Sequence, residues 1–317
     1  MKGKTQKEDA RMTREQLLKN LEPPQGQIDV VLDTDAYNEI DDQFAIAYLL
    51  RAKDKAKTLA LYAAPFHNKK SSGPADGMAR SYDEIKKVLA LLGEERPVFR
   101  GAERYLPDER TPVLSDAARD LAARAEDYSP ERPLYVVAIG AITNVASAIL
   151  LNPRVAENTV VVWLGGQGWE CTDVPEFNMM QDIAAARVVF ASGVPLVQLP
   201  CRGVVSHFTL SKGDLRDWFV GKNPVADYLG NNTIAEAESY AAGKPWTRVI
   251  WDVTAVAWLL DEKRTRLSSR ICPRPEPTYD NRYLHREDAP PMRYVYYVRR
   301  DALLEHLIKL VAEEEKQ

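Results

Sequence analysis

The most constraining feature of this 317-residue chain is a series of near-continuous apolar runs, of which Val160-Val161-Val162-Trp163-Leu164 is the clearest. A half-exposed strand alternates polar and apolar residues, so an unbroken Val/Ile/Leu run marks a strand buried on both faces. Each run is followed by a helix-like stretch: IDVVLDTD then DQFAIAYLLRA, TLALYAAPF then ARSYDEIKKVLALLG, PLYVVAIG then TNVASAILLN, and TVVVWLGG then DIAAARVVFASG, with VPLVQLP closing the series. Such alternation predicts an α/β fold, a mostly parallel central β-sheet flanked by helices in a single large domain. Beyond Gly203 the pattern reads as helical (DLRDWFV, VADYLGNNTIAEAESYAA, WDVTAVAWLLDE), ending in DALLEHLIKLVAEEE. Residues 1–25 are polar, with a short amphipathic piece from Met12 to Leu21 and a Pro23-Pro24 stop, and read as an N-terminal extension to a domain spanning 26–317.

Charge narrows the partners. Lys+Arg 42 against Asp+Glu 46 gives a formal net charge of -4 without a basic stripe, which argues against nucleic acid. No apolar run approaches the ~18 residues of a membrane span, and the first 25 residues lack the apolar core of a secretory signal, so the expectation is a cytoplasmic protein with no membrane partner. Cys171, Cys201 and Cys272 are widely spaced, fitting free thiols rather than a disulfide framework or a thiolate zinc site.

In open α/β sheets ligands bind at the carboxyl ends of the strands, which directs attention to the polar clusters following the runs. The densest is DTDAYNEIDD, where Asp33, Asp35, Glu39, Asp41 and Asp42 fall within ten residues. Like charges so close repel unless a cation or shared proton compensates. Oxygen ligands without His or Cys point to a hard cation, and the number of carboxylates suits Ca²⁺ better than Mg²⁺. An ordinary alternative is that Asp41 or Asp42 caps the helix beginning near Gln43. An EF-hand loop from Asp33 would need Gly sixth and Glu twelfth, and the chain has Asn38 and Phe44 there. A haloacid-dehalogenase-like magnesium phosphatase, with Asp33 as nucleophile and Asp35 as acid/base, is a competing reading of VVLDTDAY.

Four segments together resemble the inosine/uridine-type nucleoside hydrolase family. The family's first-strand signature DTDPGxDDxxA is similar to Asp33-Thr34-Asp35-Ala36-Tyr37-Asn38-Glu39-Ile40-Asp41-Asp42-Gln43-Phe44-Ala45, which has two extra residues and no Pro-Gly. Gly140-Ala141-Ile142-Thr143-Asn144 resembles GPLTN, Glu176-Phe177-Asn178 with the following Asp182 resembles EFN…DPEAA, and Trp251-Asp252-Val253-Thr254-Ala255 resembles [HW]DPxA.

The resemblance spans roughly residues 28–310 and implies a Rossmann-like nucleoside hydrolase fold and Ca²⁺-dependent hydrolysis of the N-glycosidic bond of ribonucleosides. It implies that Asp35, Asp42, Asp252 and the main-chain carbonyl of Thr143 hold the ion, with Asp35 as general base. It further implies that Asp41, Asn68, Glu176 and Asn178 bind the ribose, and that Trp251, standing where many members have His, stacks on a purine. The implied partners are a small-molecule ribonucleoside and further copies of the chain in a homodimer or homotetramer. A third reading is a nucleoside-binding protein in which the longer AYNEI turn has impaired catalysis. Taken singly, each motif also has an ordinary explanation: Thr143-Asn144 and Asp252 as helix caps, Glu176 and Asn178 as solvated loop residues, and Trp251 as a core aromatic.

Overall fold

A computed structural model describes residues 12–171 and 175–313. Its strands are β1 (Ile28–Thr34), β2 (Ala56–Ala63), β3 (Val98–Arg100), β4 (Leu134–Ala138), β5 (Thr159–Leu164), β6 (Leu196–Leu199), β7 (Thr209–Ser211), β8 (Thr247–Val249), β9 (Leu267–Pro273), β10 (Glu276–Pro277), β11 (Tyr283–Leu284) and β12 (Pro291–Val298). Eight of them form the central sheet in the order β3-β2-β1-β4-β5-β6-β12-β9. All neighbouring pairs are parallel except β12 with β9. The smaller pairs β7–β8 and β10–β11 are antiparallel.

Strands β1, β4 and β5 carry consecutive apolar residues because they have two cores to fill. Val30 and Leu32 pack into one layer, with the helices Asp42–Arg51, Val253–Leu260 and Arg300–Val311, while Val31 faces the other, with the helices Asp116–Arg124, Thr143–Leu151 and Ile183–Ala191. The same alternation divides β5, Val160, Val162 and Leu164 going to the first layer and Val161 and Trp163 to the second. All six residues of β5 are buried.

The chain leaves β1 towards β2 and β3, then returns to lay β4 on the other side of β1. That reversal opens a crevice at the carboxyl ends of β1 and β4, where α/β folds place their ligands. The loops after β1, β4 and β5 converge there.

The region after Gly203 is less helical than its pattern suggests. The four predicted helices form, as Lys212–Trp218, Pro224–Ala241, Val253–Leu260 and Arg300–Val311, but β9 and β12 extend the central sheet between them. The β-prone run of Met292–Val298, bounded by Pro290-Pro291, carries the strand signal, but its exposed Tyr296 and Tyr297 blur the alternation.

Within the predicted N-terminal extension, residues 1–11 lie outside the described residues and Arg14–Asn20 is helical, capped by the Thr13 hydroxyl. This segment is fastened to the domain. Leu21 is fully buried, the guanidinium of buried Arg293 donates to the Leu21 carbonyl and pairs with Glu22, and Asn20 and Gln16 both donate to the Pro130 carbonyl at 2.9 Å. Among the described residues, no helix is long and apolar enough to cross a membrane.

Candidate active site

The crevice holds a cavity of about 200 Å³ lined by residues from every motif segment except Gly140–Asn144: Asp35, Asp41 and Asp42 after β1, Glu176 and Asn178 after β5, and Trp251 and Asp252 before the helix Val253–Leu260. Carboxylate oxygens of Asp41, Asp42 and Asp252 lie within 4.8 Å of one another. All three side chains, and that of Asp35, are at most 4 % exposed.

The geometry decides between capping and ligand roles. Asp41 and Asp252 occupy the N-cap positions of the helices Asp42–Arg51 and Val253–Leu260, yet neither side chain bonds its helix. Instead an Asp41 carboxylate oxygen accepts the Asp252 backbone N–H at 3.3 Å, and Asp42 accepts the Thr34 hydroxyl. Two helix N-termini, each carrying partial positive charge, thus meet at the cluster with their cap carboxylates turned towards each other. Thr143 and Asn144 are not caps either. Thr143 is fully buried, does not line the cavity, and donates its hydroxyl to Asp182 at 2.6 Å. Asn144 instead accepts the Ala102 N–H and donates to Asp33, both at 2.8 Å.

Glu176, by contrast, is a cap as well as a wall of the cavity. Its carboxylate accepts backbone N–H groups of Gly166, Asn178 and Met179 at 2.7–3.0 Å. Burial pushes it up to about 6, with those N–H groups holding it lower than burial alone would. Asn178 donates its amide to the Leu164 carbonyl at 3.0 Å, fixing it at the end of β5. Asn68 stands further out and donates to Asn38 at 2.7 Å, so it touches the cavity lining through that residue.

Electrostatics give the cluster an unmet need. Asp35, Asp41 and Asp252 are all held well above the usual carboxylate range, by burial first and next by a neighbouring carboxylate: Asp42 for Asp35, Glu39 for Asp41 and Asp41 for Asp252. Asp42 is pushed up to about 7 by burial, against the lowering bond from Thr34. One Asp35 oxygen is buried with no hydrogen-bond partner. Buried polar atoms are rarely left so, and four acids share this space. A hard divalent cation fits this donor set: several hard oxygens converge, none engaged in capping, with no imidazole or thiolate in the tight group.

Space around Asp35 is limited. A Cβ at Gly140 would stand 3.0 Å from the Asp35 carboxyl carbon, so any side chain there would force a shift of a few tenths of an ångström. Asp33, the nucleophile of the phosphatase reading, is fully buried outside the cavity and is pushed up to about 7 by burial, its bond to Asn144 acting the other way. That reading has no accessible nucleophile.

Other residues lining the cavity were given no binding role by the resemblance, among them Asn38, Glu39, Gln167 and Cys201. Asn38 and Glu39 belong to the longer turn, whose polar character was the available signal. Trp251 is half-buried, packing against the core on one side and lining the cavity, with its indole N–H donating to Glu39 at 3.1 Å. Four further aromatic residues stand elsewhere: Phe66 is buried in the domain, Trp169 packs on Tyr294 with ring centroids 4.1 Å apart, Trp246 donates to Glu238, and Tyr240 is exposed; none of these four lines the cavity. No histidine lines it either.

A model of the inosine-uridine preferring nucleoside hydrolase family matches residues 30–301, nearly the whole domain. The chain belongs to this family of N-glycosyl hydrolases. Among curated relatives, the non-specific ribonucleoside hydrolase RihC of Salmonella agona (strain SL483) is 28% identical over 259 residues, covering 76% of this chain and 81% of that protein. Among solved structures, an inosine-guanosine nucleoside hydrolase superposes with a TM-score of 0.73 at 19% identity, covering 91% of this chain and all of the other. A purine-preferring ribonucleoside hydrolase from Gardnerella vaginalis gives 0.71 at 17% identity, over 90% and 98%. These likenesses establish the fold; family membership rests on the sequence match.

Proposed function

We propose that this protein hydrolyses the N-glycosidic bond of ribonucleosides to ribose and free base, using Ca²⁺ and preferring purines. The observation that carries the proposal is the convergence of Asp35, Asp41 and Asp42 with Asp252, 210 residues beyond Asp42, on one buried cavity that Glu176, Asn178 and Trp251 also line.

Asp35, Asp42 and Asp252, with the Thr143 carbonyl, would hold the ion, and Asp41, within the tight carboxylate group, would serve ion and sugar together. When bound, Ca²⁺ offsets the repulsion among these acids and supplies oxygen coordination for water and ribose hydroxyls. Asp35 takes the proton of the attacking water as its oxygen bonds to the anomeric carbon and the C–N bond breaks, the bonding electrons leaving with the base. Asp35 suits this role because burial raises its proton affinity. The net negative charge of the carboxylates favours the developing ribosyl cation over neutral substrate, which is differential stabilisation of the transition state. Asp41, Asn178, Glu176 and, at the rim, Asn68 orient the ribose. Trp251 offers an aromatic face to the base, and stacking favours the larger purine ring.

Incubating the protein with purine and pyrimidine ribonucleosides, with and without chelator, and measuring free base tests the proposal. Free base that disappears with chelator and returns with calcium is expected. Tight nucleoside binding with no base released from any ribonucleoside at saturating calcium would overturn it in favour of a binding protein.

A further inference from the structure

The longer turn after β1 reaches Trp251 at the wall of the cavity. Glu39, in the middle of residues 36–40, accepts the Trp251 indole N–H at 3.1 Å, and the same carboxylate oxygen lies 3.6 Å from the Arg248 guanidinium. Arg248, on β8, is itself held by Glu236 at 3.2 Å and donates to the Tyr240 hydroxyl at 3.0 Å. Both Glu39 and Trp251 line the cavity. Two residues beyond Glu39, Asp41 receives the Asp252 N–H. The turn is therefore stapled to the segment 248–252 at three points: one bond fixes a cap residue, and two interactions share one oxygen of Glu39.

An indole has a single polar donor, so a bond at Nε1 selects one orientation of the ring from those its two side-chain torsions allow. A carboxylate makes that bond charge-assisted, and Arg248, close to the same oxygen, adds an ion pair that holds the carboxylate beside the indole. We infer that Glu39, braced by Arg248, is a positioning residue that presents the face of Trp251 to the leaving base and so sets discrimination between purine and pyrimidine. This rests on the proposed stacking role of Trp251 and assigns a function to the turn by which the chain departs from its family's signature.

The test compares Glu39→Ala, Glu39→Gln and Trp251→Phe, and the double variant Glu39→Ala/Trp251→Phe, on inosine and uridine. Glu39→Ala should lower the inosine-to-uridine ratio of kcat/KM by roughly ten-fold, about the effect of losing one charge-assisted hydrogen bond. Loss of the Glu39 charge beside Asp41 acts on both substrates alike and cancels in the ratio. Glu39→Gln keeps an acceptor for the indole and should restore most of the ratio. In the Trp251→Phe background, which has no N–H to orient, Glu39→Ala should leave the ratio unchanged. A ratio insensitive to Glu39→Ala, or equally sensitive with Phe at 251, would overturn the inference.

A second readout needs no turnover. The fluorescence of Trp251, taken as wild type minus Trp251→Phe, should shift to longer wavelength when Glu39→Ala frees the ring and stay in place with Glu39→Gln; an identical spectrum in Glu39→Ala would also refute the positioning role. Absence of hydrolysis by the wild type would strike the proposed activity and leave this readout to judge Glu39.

Discussion

An Asp41 carboxylate oxygen accepts the backbone N–H of Asp252 at 3.3 Å, joining two helix N-termini that lie 211 residues apart in the chain. Each residue stands where a capping side chain is expected and neither caps its own helix. What the site gains is two carboxylates free to turn inward, beside Asp42.

Calcium should therefore act on stability as well as on activity. Added to chelated protein, it should raise the melting temperature, by the equivalent of about 2.7 kcal/mol at a hundred-fold excess over the dissociation constant. Asp252→Asn, which removes one member of the tight group, should abolish most of that rise in a thermal-shift titration. An undiminished response would place the ion elsewhere.

Asp35→Ala should reduce kcat by roughly 10³-fold, within the range typical for a general base, with the circular dichroism spectrum retained. Base release measured chromatographically decides the matter, and a loss below about ten-fold would move the base assignment to another carboxylate.

Ribonucleosides should be cleaved at least roughly 10²-fold faster than their 2′-deoxy counterparts, because the polar groups that meet the sugar would be left unpaired by the missing hydroxyl. Comparable rates on adenosine and deoxyadenosine would contradict the ribose-binding roles of Asp41 and Asn178.

Asp33→Asn should stabilise the protein at alkaline pH and change little in acid. Its pKa in the folded protein, about 7 against an ordinary 3.8, means that the folded chain keeps a proton which the unfolded chain releases in that interval. Its favourable contribution is thus complete below about pH 4 and fades as pH rises towards 7. The neutral amide escapes this loss, which could reach about 4 kcal/mol. Melting temperatures of the two proteins at pH 4.5 and pH 8 should converge in acid and separate in base.

Arg293→Ala should cost about 2–4 kcal/mol, since it leaves the Leu21 carbonyl and Glu22 without their buried partner. Limited proteolysis should then cut near residues 20–25 well before the domain unfolds.

Much of this was readable from the chain. The apolar runs announced the strands because each faces two cores, and the motifs announced the cavity because its carboxylates have no reason to cluster otherwise. Asp42 and Asp252 converge as their motifs implied. Asp41 stands in the tight group as well, which its motif did not imply, because no spacing rule says which carboxylate of a turn points to which neighbour. Thr143 was placed only by its segment's resemblance, because the proposed ligand is a main-chain oxygen that any residue supplies. The role of Glu39 was invisible for a different reason: its partners, Trp251 and Arg248, are more than 200 residues away, and only tertiary structure brings them together. Strand β12 went unread because its exposed tyrosines give no clean period, and β9 because its LSSRICP run mixes polar and apolar residues and is only partly buried.

The bare backbone at position 140 makes catalysis here vulnerable to something as small as a methyl group. Alanine at Gly140 would add no charge and remove no ligand, yet it would press on the carboxyl of Asp35 and displace the proposed proton acceptor. A descendant of this protein could thus become a silent nucleoside receptor with every acidic residue intact, and counting those acids would not reveal the change.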